Sequence, residues 1–181
     1  MTEKEYLSVA RLHELLRYDL ETGKLFWRSR TADDFSSPHW MRVWNTKNAG
    51  KEAGWVGRDG YRRLGINRVY FLSHRVVWVM AYGYWPEEID HFDQDRQNNL
   101  LTNLRDVPHQ VNSMNTSRMR NNTSGCTGVH RNRHGNWGAE FQLQGVRTWL
   151  GTFKNFNDAV KAIKNAHCNA GFTANHGRLA E

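Results

Sequence analysis

The pair Asp90-His91, with Asn103 and Asn112 spaced behind it, constrains this chain more than any other feature. Pro86 stops helix formation just before the pair, and Pro108 opens a helix where its missing N–H costs nothing. Between them, Phe92-Asp93-Gln94-Asp95-Arg96-Gln97-Asn98-Asn99-Leu100 is polar and turn-forming. The segment therefore reads as a strand at 89–91, a loop, a second strand at about 101–107 and a helix at roughly 108–116. That helix is expected to carry Asn112 back toward Asp90. A carboxylate beside an imidazole, with amides downstream, can set a hard divalent cation next to a proton acceptor. Hydrolysis of a phosphodiester needs that pairing: positive charge for the phosphate oxygens and a base for water.

Trp85-Pro86-Glu87-Glu88-Ile89-Asp90-His91, followed by Asn98-Asn99 and Asn103-Leu104-Arg105, resembles the HNH nucleases. The likeness is to the branch found in phage and intron-encoded homing endonucleases, which use a ββα-metal site. The resemblance implies His91 as general base, Asp90 and Asn112 as ligands of Mg²⁺ (with Mn²⁺ as a substitute), and Asn103 as the residue orienting His91. In this branch the last letter of the motif is Asn rather than His, as Asn112 is here. Each of the four residues taken singly has an ordinary structural explanation; the spaced set carries the reading. Asp93 and Asp95 lack the later ligands and glycine of a calcium loop and read as solvated turn residues. His74 and Arg75 could clamp a phosphate or simply pack at a helix start, and His109 could approach the metal, although Asn112 fits the register better.

Charge points to the partner. The chain carries 25 Lys+Arg against 18 Asp+Glu. Residues 1–115 hold 16 basic and 15 acidic side chains, whereas residues 116–181 hold 9 and 3. The excess sits in the C-terminal third, where a polyanion such as double-stranded DNA would dock; a basic surface kept for solubility is the alternative. Cys126 and Cys168 have no paired spacing, which argues against a disulfide framework and a Cys-rich zinc site. No long apolar run or signal-type N-terminus is present, so a soluble cytoplasmic protein without a membrane partner is expected (host cytoplasm, if phage-encoded).

Ahead of the motif, about residues 3–17 read as an amphipathic helix through Leu7, Leu12, Leu15 and Leu16. Residues 18–27 read as a turn feeding a short strand, and Arg30 to Asn48 as a loop. Gly54-Trp55-Val56 and Tyr61–Ile66 form an expected hairpin about Arg58-Asp59-Gly60, with Val69–Leu72 a third strand. Ser73 is expected to cap a helix running to Tyr82-Gly83. Trp27, Trp55 and Trp78 sit in apolar patterns and are expected in the core.

Residues 117–125 read as a polar linker. Beyond it, Gly128–His130, Trp137–Phe141 and Arg147–Gly151 read as short strands, and Phe156–His167 as a helix with Ala159, Val160, Ile163 and Ala166 on one face. Thr127-Gly128-Val129, Gly135–Glu140, Trp149–Phe153 and Asp158-Ala159 make this segment similar to the DNA-binding domain of plant ethylene-response factors. That likeness implies a sheet laid in the DNA major groove. Trp137, Glu140, Arg147 and Trp149 match its contact positions, and Arg131 and Arg133 join the candidate DNA-binding residues. Thr127, His130 and Asn132 stand where the plant domain often has Arg, so the platform transfers without its base preference. For Trp137 and Trp149, packing against the C-terminal helix is the alternative.

The expected fold class is α+β: a ββα-metal HNH nuclease module over 1–116, the linker at 117–125, and a three-stranded antiparallel sheet on one helix over 126–181. The expected activity is metal-dependent endonuclease cleavage of DNA. The alternative is a DNA-binding regulator or structural protein with an inactive nuclease site. Nothing in the sequence chooses between a monomer and a homodimer.

Overall fold

Residues 7–178 are described by a computed structural model. The chain divides into two compact units, Met1–His91 with Asp95–Asp106, and Phe92–Gln94 with Val107–Glu181. The α+β class holds, with helices set against several antiparallel sheets.

The first unit begins with α1 (Val9–Leu15), capped by Ser8, whose hydroxyl accepts from the Arg11 N–H. Residues 3–6 of the expected helix lie outside the described residues. Leu16 leaves helical geometry and opens β1 (Leu16–Tyr18), which pairs with β2 (Leu25–Trp27). The next stretch corrects the expected loop. A 3₁₀ turn at Ala32–Asp34 leads to α2 (Pro38–Asn48), with Ser37 as its cap and Pro38 in the first turn. Ser-Pro is a helix-start signal, and here it outweighs the irregular composition. Strands β3 (Trp55–Val56), β4 (Arg62–Ile66) and β5 (Val69–Leu72) form an antiparallel meander in the order β3-β4-β5. Trp55 is exposed on the two-residue β3, edge-on to Tyr70, and not in the core as expected.

Helix α3 (Ser73–Tyr82) starts one residue earlier than expected. Leu72 occupies the cap position, and the buried Ser73 hydroxyl has no hydrogen-bond partner, so Ser73 does not cap it. Gly83, at φ 83°, ends the helix in the left-handed conformation that glycine adopts without steric cost. Val76, Val77, Val79 and Met80 join Leu12, Leu15, Leu64, Ile66 and Phe71 in one core. Ile89 and Leu104 belong to the same core, so β6 (Ile89–His91) and β7 (Leu104–Asp106) are bound to it through their apolar residues. At roughly 1.5–3 kcal/mol for each such buried side chain, this cluster gives the hairpin a rigid base. The second strand is shorter than expected: residues 101–103 form a turn, and Asn103 ends it.

In the second unit, α4 spans only His109–Ser113, with Pro108 preceding it. Strands β8 (Val129–Arg131), β9 (Trp137–Leu143) and β10 (Val146–Phe153) form an antiparallel sheet in the order β10-β9-β8. Helix α5 (Phe156–Asn169) covers one side. Val129, Ala139, Ala159 and Ile163 form its buried core, with Trp137, Phe141, Phe153 and Phe156 around them. Gly128, at φ 81°, lets the chain pass close to the sheet: a Cβ there would lie 2.5 Å from the Glu140 carbonyl oxygen. This sheet-on-helix arrangement is the one expected from the sequence.

Candidate functional site

Antiparallel pairing of β6 with β7 sets Asp90 opposite Arg105 and His91 opposite Leu104. Every residue of β6 is buried, with Asp90 and His91 each 4% exposed. A buried carboxylate is costly unless paired. Here Asp90 Oδ2 accepts from Arg105 Nε at 3.1 Å and also from Arg105 Nη2.

The imidazole of His91 is held from several sides. Its Nε2–H donates to Asn99 Oδ1 at 3.0 Å. The ring of His74 meets it edge-on, with centroids 4.9 Å apart and planes at 85°. Tyr61 lies 5.3 Å from His74 and 5.9 Å from His91, closing a three-ring cluster. Burial pushes the His74 imidazole down to about 3, and the neighbouring His91 and Arg75 push in the same direction. His74 is therefore a neutral ring packed against His91. Arg75 donates to the Pro86 and Glu87 carbonyls and so ties α3 to the chain leading into β6.

The loop after β6 is fixed by amides and one phenol. Asn103 Nδ2 donates to the Asn98 carbonyl at 2.9 Å, and the Asn98 carboxamide accepts from the Leu100 N–H. Tyr18 donates to the Asn99 carbonyl at 3.1 Å and accepts from the Leu101 N–H at 3.2 Å. Gly23, at φ 70°, allows the β1–β2 turn to approach: a Cβ there would stand 2.6 Å from the Leu100 nitrogen. Asp95 closes a turn by accepting from the Gln97 N–H, and both Asp93 and Asp95 are exposed. Four contributors were not assigned from sequence: Asn99, Tyr61, Tyr18 and Arg105. Asn99 was visible in the Asn98-Asn99 pair, and Arg105 in the register opposite Asp90. No sequence spacing marks Tyr61 or Tyr18.

The structure thus brings Asp90, His91 and Asn103 into one unit, while Asn112 stands half-buried on α4 of the other. His109, also on α4, borders a cavity of the second unit that His130 and His167 line. Among the described residues, no three of His, Cys, Asp and Glu group as metal ligands. One buried carboxylate beside an imidazole suits a hard ion that keeps much of its water and takes its other ligands from amide and phosphate oxygens.

In the second unit, Trp149 is 53% exposed, beside His130 at 5.9 Å between ring centroids. Arg147 is exposed and pairs with Glu140 at 3.8 Å. Arg131 and Arg133 are exposed near the β8–β9 turn. Trp137 differs: it packs on Phe156 of α5 at 4.8 Å and belongs to the apolar layer. A buried polar knot fixes the start of this unit. Asn175 Nδ2 donates to the Phe92 carbonyl at 2.6 Å, as does Asn115 Nδ2 at 3.3 Å. Gln94 Nε2 donates to the carbonyls of both Asn115 and Asn175.

Comparison with known proteins agrees with the hairpin geometry. Residues 71–114, from the end of β5 through α4, match the family model described as HNH endonuclease. The chain therefore carries an HNH endonuclease domain over that span, and a nuclease domain implies DNA as substrate. Searches of curated proteins and of solved structures gave no match. No helix among the described residues is long and apolar enough to cross a membrane.

Proposed function

We propose that this protein is a divalent-metal-dependent DNA endonuclease of the homing type, targeted by its C-terminal sheet. The observation that carries the reading is the buried His91, held by Asn99 at Nε2 and standing next to Asp90 within the HNH span. His91 acts as general base, taking the proton of the attacking water while its Nε2 is held on the Asn99 amide. Asn99 and His74 fix the tautomer and plane of the ring. Asn103 supports the same ring through the loop backbone that carries Asn99.

Asp90 and Asn112 are the proposed ligands for Mg²⁺ or Mn²⁺. When bound, that ion supplies positive charge to the phosphate oxygens and the departing 3′ oxygen. Arg105 holds the Asp90 carboxylate through Oδ2. The products are 5′-phosphate and 3′-hydroxyl ends. Arg131, Arg133 and Arg147 supply phosphate contacts, Glu140 orients Arg147, and Trp149 offers its exposed ring to sugar or base. Trp137 supports that face from beneath.

The test is nicking of supercoiled duplex DNA by the full chain. Relaxed or linear product is expected with Mg²⁺ and none with EDTA. DNA binding without cleavage at any Mg²⁺ or Mn²⁺ concentration would replace this reading by that of a DNA-binding protein with an inactive site.

A further inference from the structure

The ten residues of α2 that follow Pro38 separate cleanly by burial. Met41, Trp44, Asn45 and Asn48 are half-buried, whereas His39, Trp40, Arg42, Val43, Thr46 and Lys47 are exposed. At 3.6 residues per turn these six positions form one continuous face. The inner face is fully engaged. Trp44 meets Trp27 edge-on at 5.6 Å, and Arg30 lies 4.2 Å above the Trp44 ring. Asn45 exchanges hydrogen bonds with the Arg30 backbone, accepting from its N–H at 2.9 Å and donating to its carbonyl at 3.0 Å. This helix is pinned, and what it presents outward is fixed in direction.

The outer face combines two permanent cations with large apolar surface: Trp40 is 56% exposed and Val43 is 43% exposed. Helix α2 contains no Asp or Glu. Of the acids that flank it, Asp33 is exposed, Asp34 is paired with Arg11, and Glu52 with Lys24 and Arg62. Residues 1–115 hold 16 basic and 15 acidic side chains, and α2 contributes two of the basic ones and none of the acidic.

We propose that the outer face of α2 is a second DNA-docking surface, distinct from the C-terminal sheet. Arg42 and Lys47 contact phosphates of the duplex, with Trp40 and Val43 against the sugar edge between them. The charge selects the occupant. A polyanion is attracted, whereas a symmetric contact with a second copy would oppose Arg42 and Lys47 to their own equivalents. The inference rests on DNA being the substrate of the HNH domain and assigns a part of the chain that lies outside the matched span.

The test measures equilibrium binding of the full chain to a short duplex, in EDTA, over a series of salt concentrations. The variants are Arg42→Gln/Lys47→Gln, Arg42→Lys and Trp40→Ala, with helix content checked by circular dichroism. Losing two phosphate contacts should lower the log–log salt slope by about 2 and weaken binding by roughly 10-fold at low salt. Arg42→Lys should keep the slope, and Trp40→Ala should weaken binding without changing it. Wild-type slope and affinity in the double variant overturn the proposal. So does a dimer that Trp40→Ala dissolves while DNA affinity stays intact, since the face would then belong to a second copy. Arg131→Gln/Arg147→Gln, measured in parallel, separates the two readings. If that variant loses slope and the wild type nicks DNA while the α2 variants behave as wild type, only the α2 surface fails. A wild type that neither binds nor cuts DNA removes both.

Discussion

The β6–β7 hairpin and the β8–β10 sheet are both antiparallel and both rest on a helix, yet they place polar groups in opposite ways. In the hairpin, Asp90, His91, Asn99 and Asn103 are buried and tied to named partners. On the sheet, Arg131, Arg147 and Trp149 stand in solvent, and the Arg147–Glu140 contact is loose at 3.8 Å. Acid and base chemistry needs groups held in one geometry and one protonation state, which burial and hydrogen bonding enforce. Affinity for a polyanion needs only positive charge within reach, and exposed arginines retain the freedom to find phosphates. The two regions should therefore respond differently to the same kind of substitution.

The strongest separation is expected from Asp90→Ala. It removes the proposed carboxylate ligand and its ion pair with Arg105, so metal-dependent cleavage should disappear while duplex binding in EDTA persists. Loss of binding in step with cleavage would show that the hairpin and the sheet do not divide the work. The reciprocal change, Arg131→Gln/Arg133→Gln/Arg147→Gln, should lower the salt slope of DNA binding by about 3, at roughly 0.9 per phosphate contact. Cleavage at saturating protein should survive it. An unchanged slope in filter-binding or anisotropy titrations would take the sheet off the DNA.

A smaller effect should follow Asn99→Ala, which frees the His91 Nε2–H. Supporting groups of this kind typically contribute about 10- to 100-fold to activity, and the single-turnover rate should fall within that range. The ring ¹⁵N shifts of His91 should then show a mixture of tautomers; a single unchanged tautomer would assign the orienting role elsewhere.

The mildest test is pH. His74, pushed down to about 3 by burial, stays neutral in the folded chain, whereas the unfolded chain takes up its proton near 6.5. Above pH 6.5 both states are neutral and this group has no effect. As pH falls from 6.5 toward 3, only the unfolded state gains the proton, so stability drops, by at most about 1.4 kcal/mol per pH unit. Denaturant midpoints between about pH 7 and 5 should decline, and His74→Gln should flatten that decline.

The comparison also explains what the sequence disclosed. Local signals sufficed for α3 with Gly83 and for α5 on the sheet, because each follows from turn chemistry or apolar period. Asp90 and His91 were legible because their spacing to later amides is a linear pattern. Asn99 stood in the same pattern, but its bond to His91 depends on how the loop folds back. Tyr61 and Tyr18 reach the site from other parts of the chain, and such contacts leave no trace in local spacing. Helix α2 was hidden because its exposed face carries Trp40 and Val43 while its inner face carries Asn45 and Asn48, which blurs the usual apolar period. Trp55 misled for a related reason: a two-residue strand has no inner side to bury it.

The central claim is that an imidazole fixed at Nε2 performs the proton transfer in DNA cleavage. Single-turnover nicking by His91→Ala, measured beside its duplex affinity, tests it most directly. The account predicts a rate lower by about 10²–10⁴-fold, the usual contribution of a general base, with affinity and folding unchanged. A folded His91→Ala variant that nicks at the wild-type rate would contradict it.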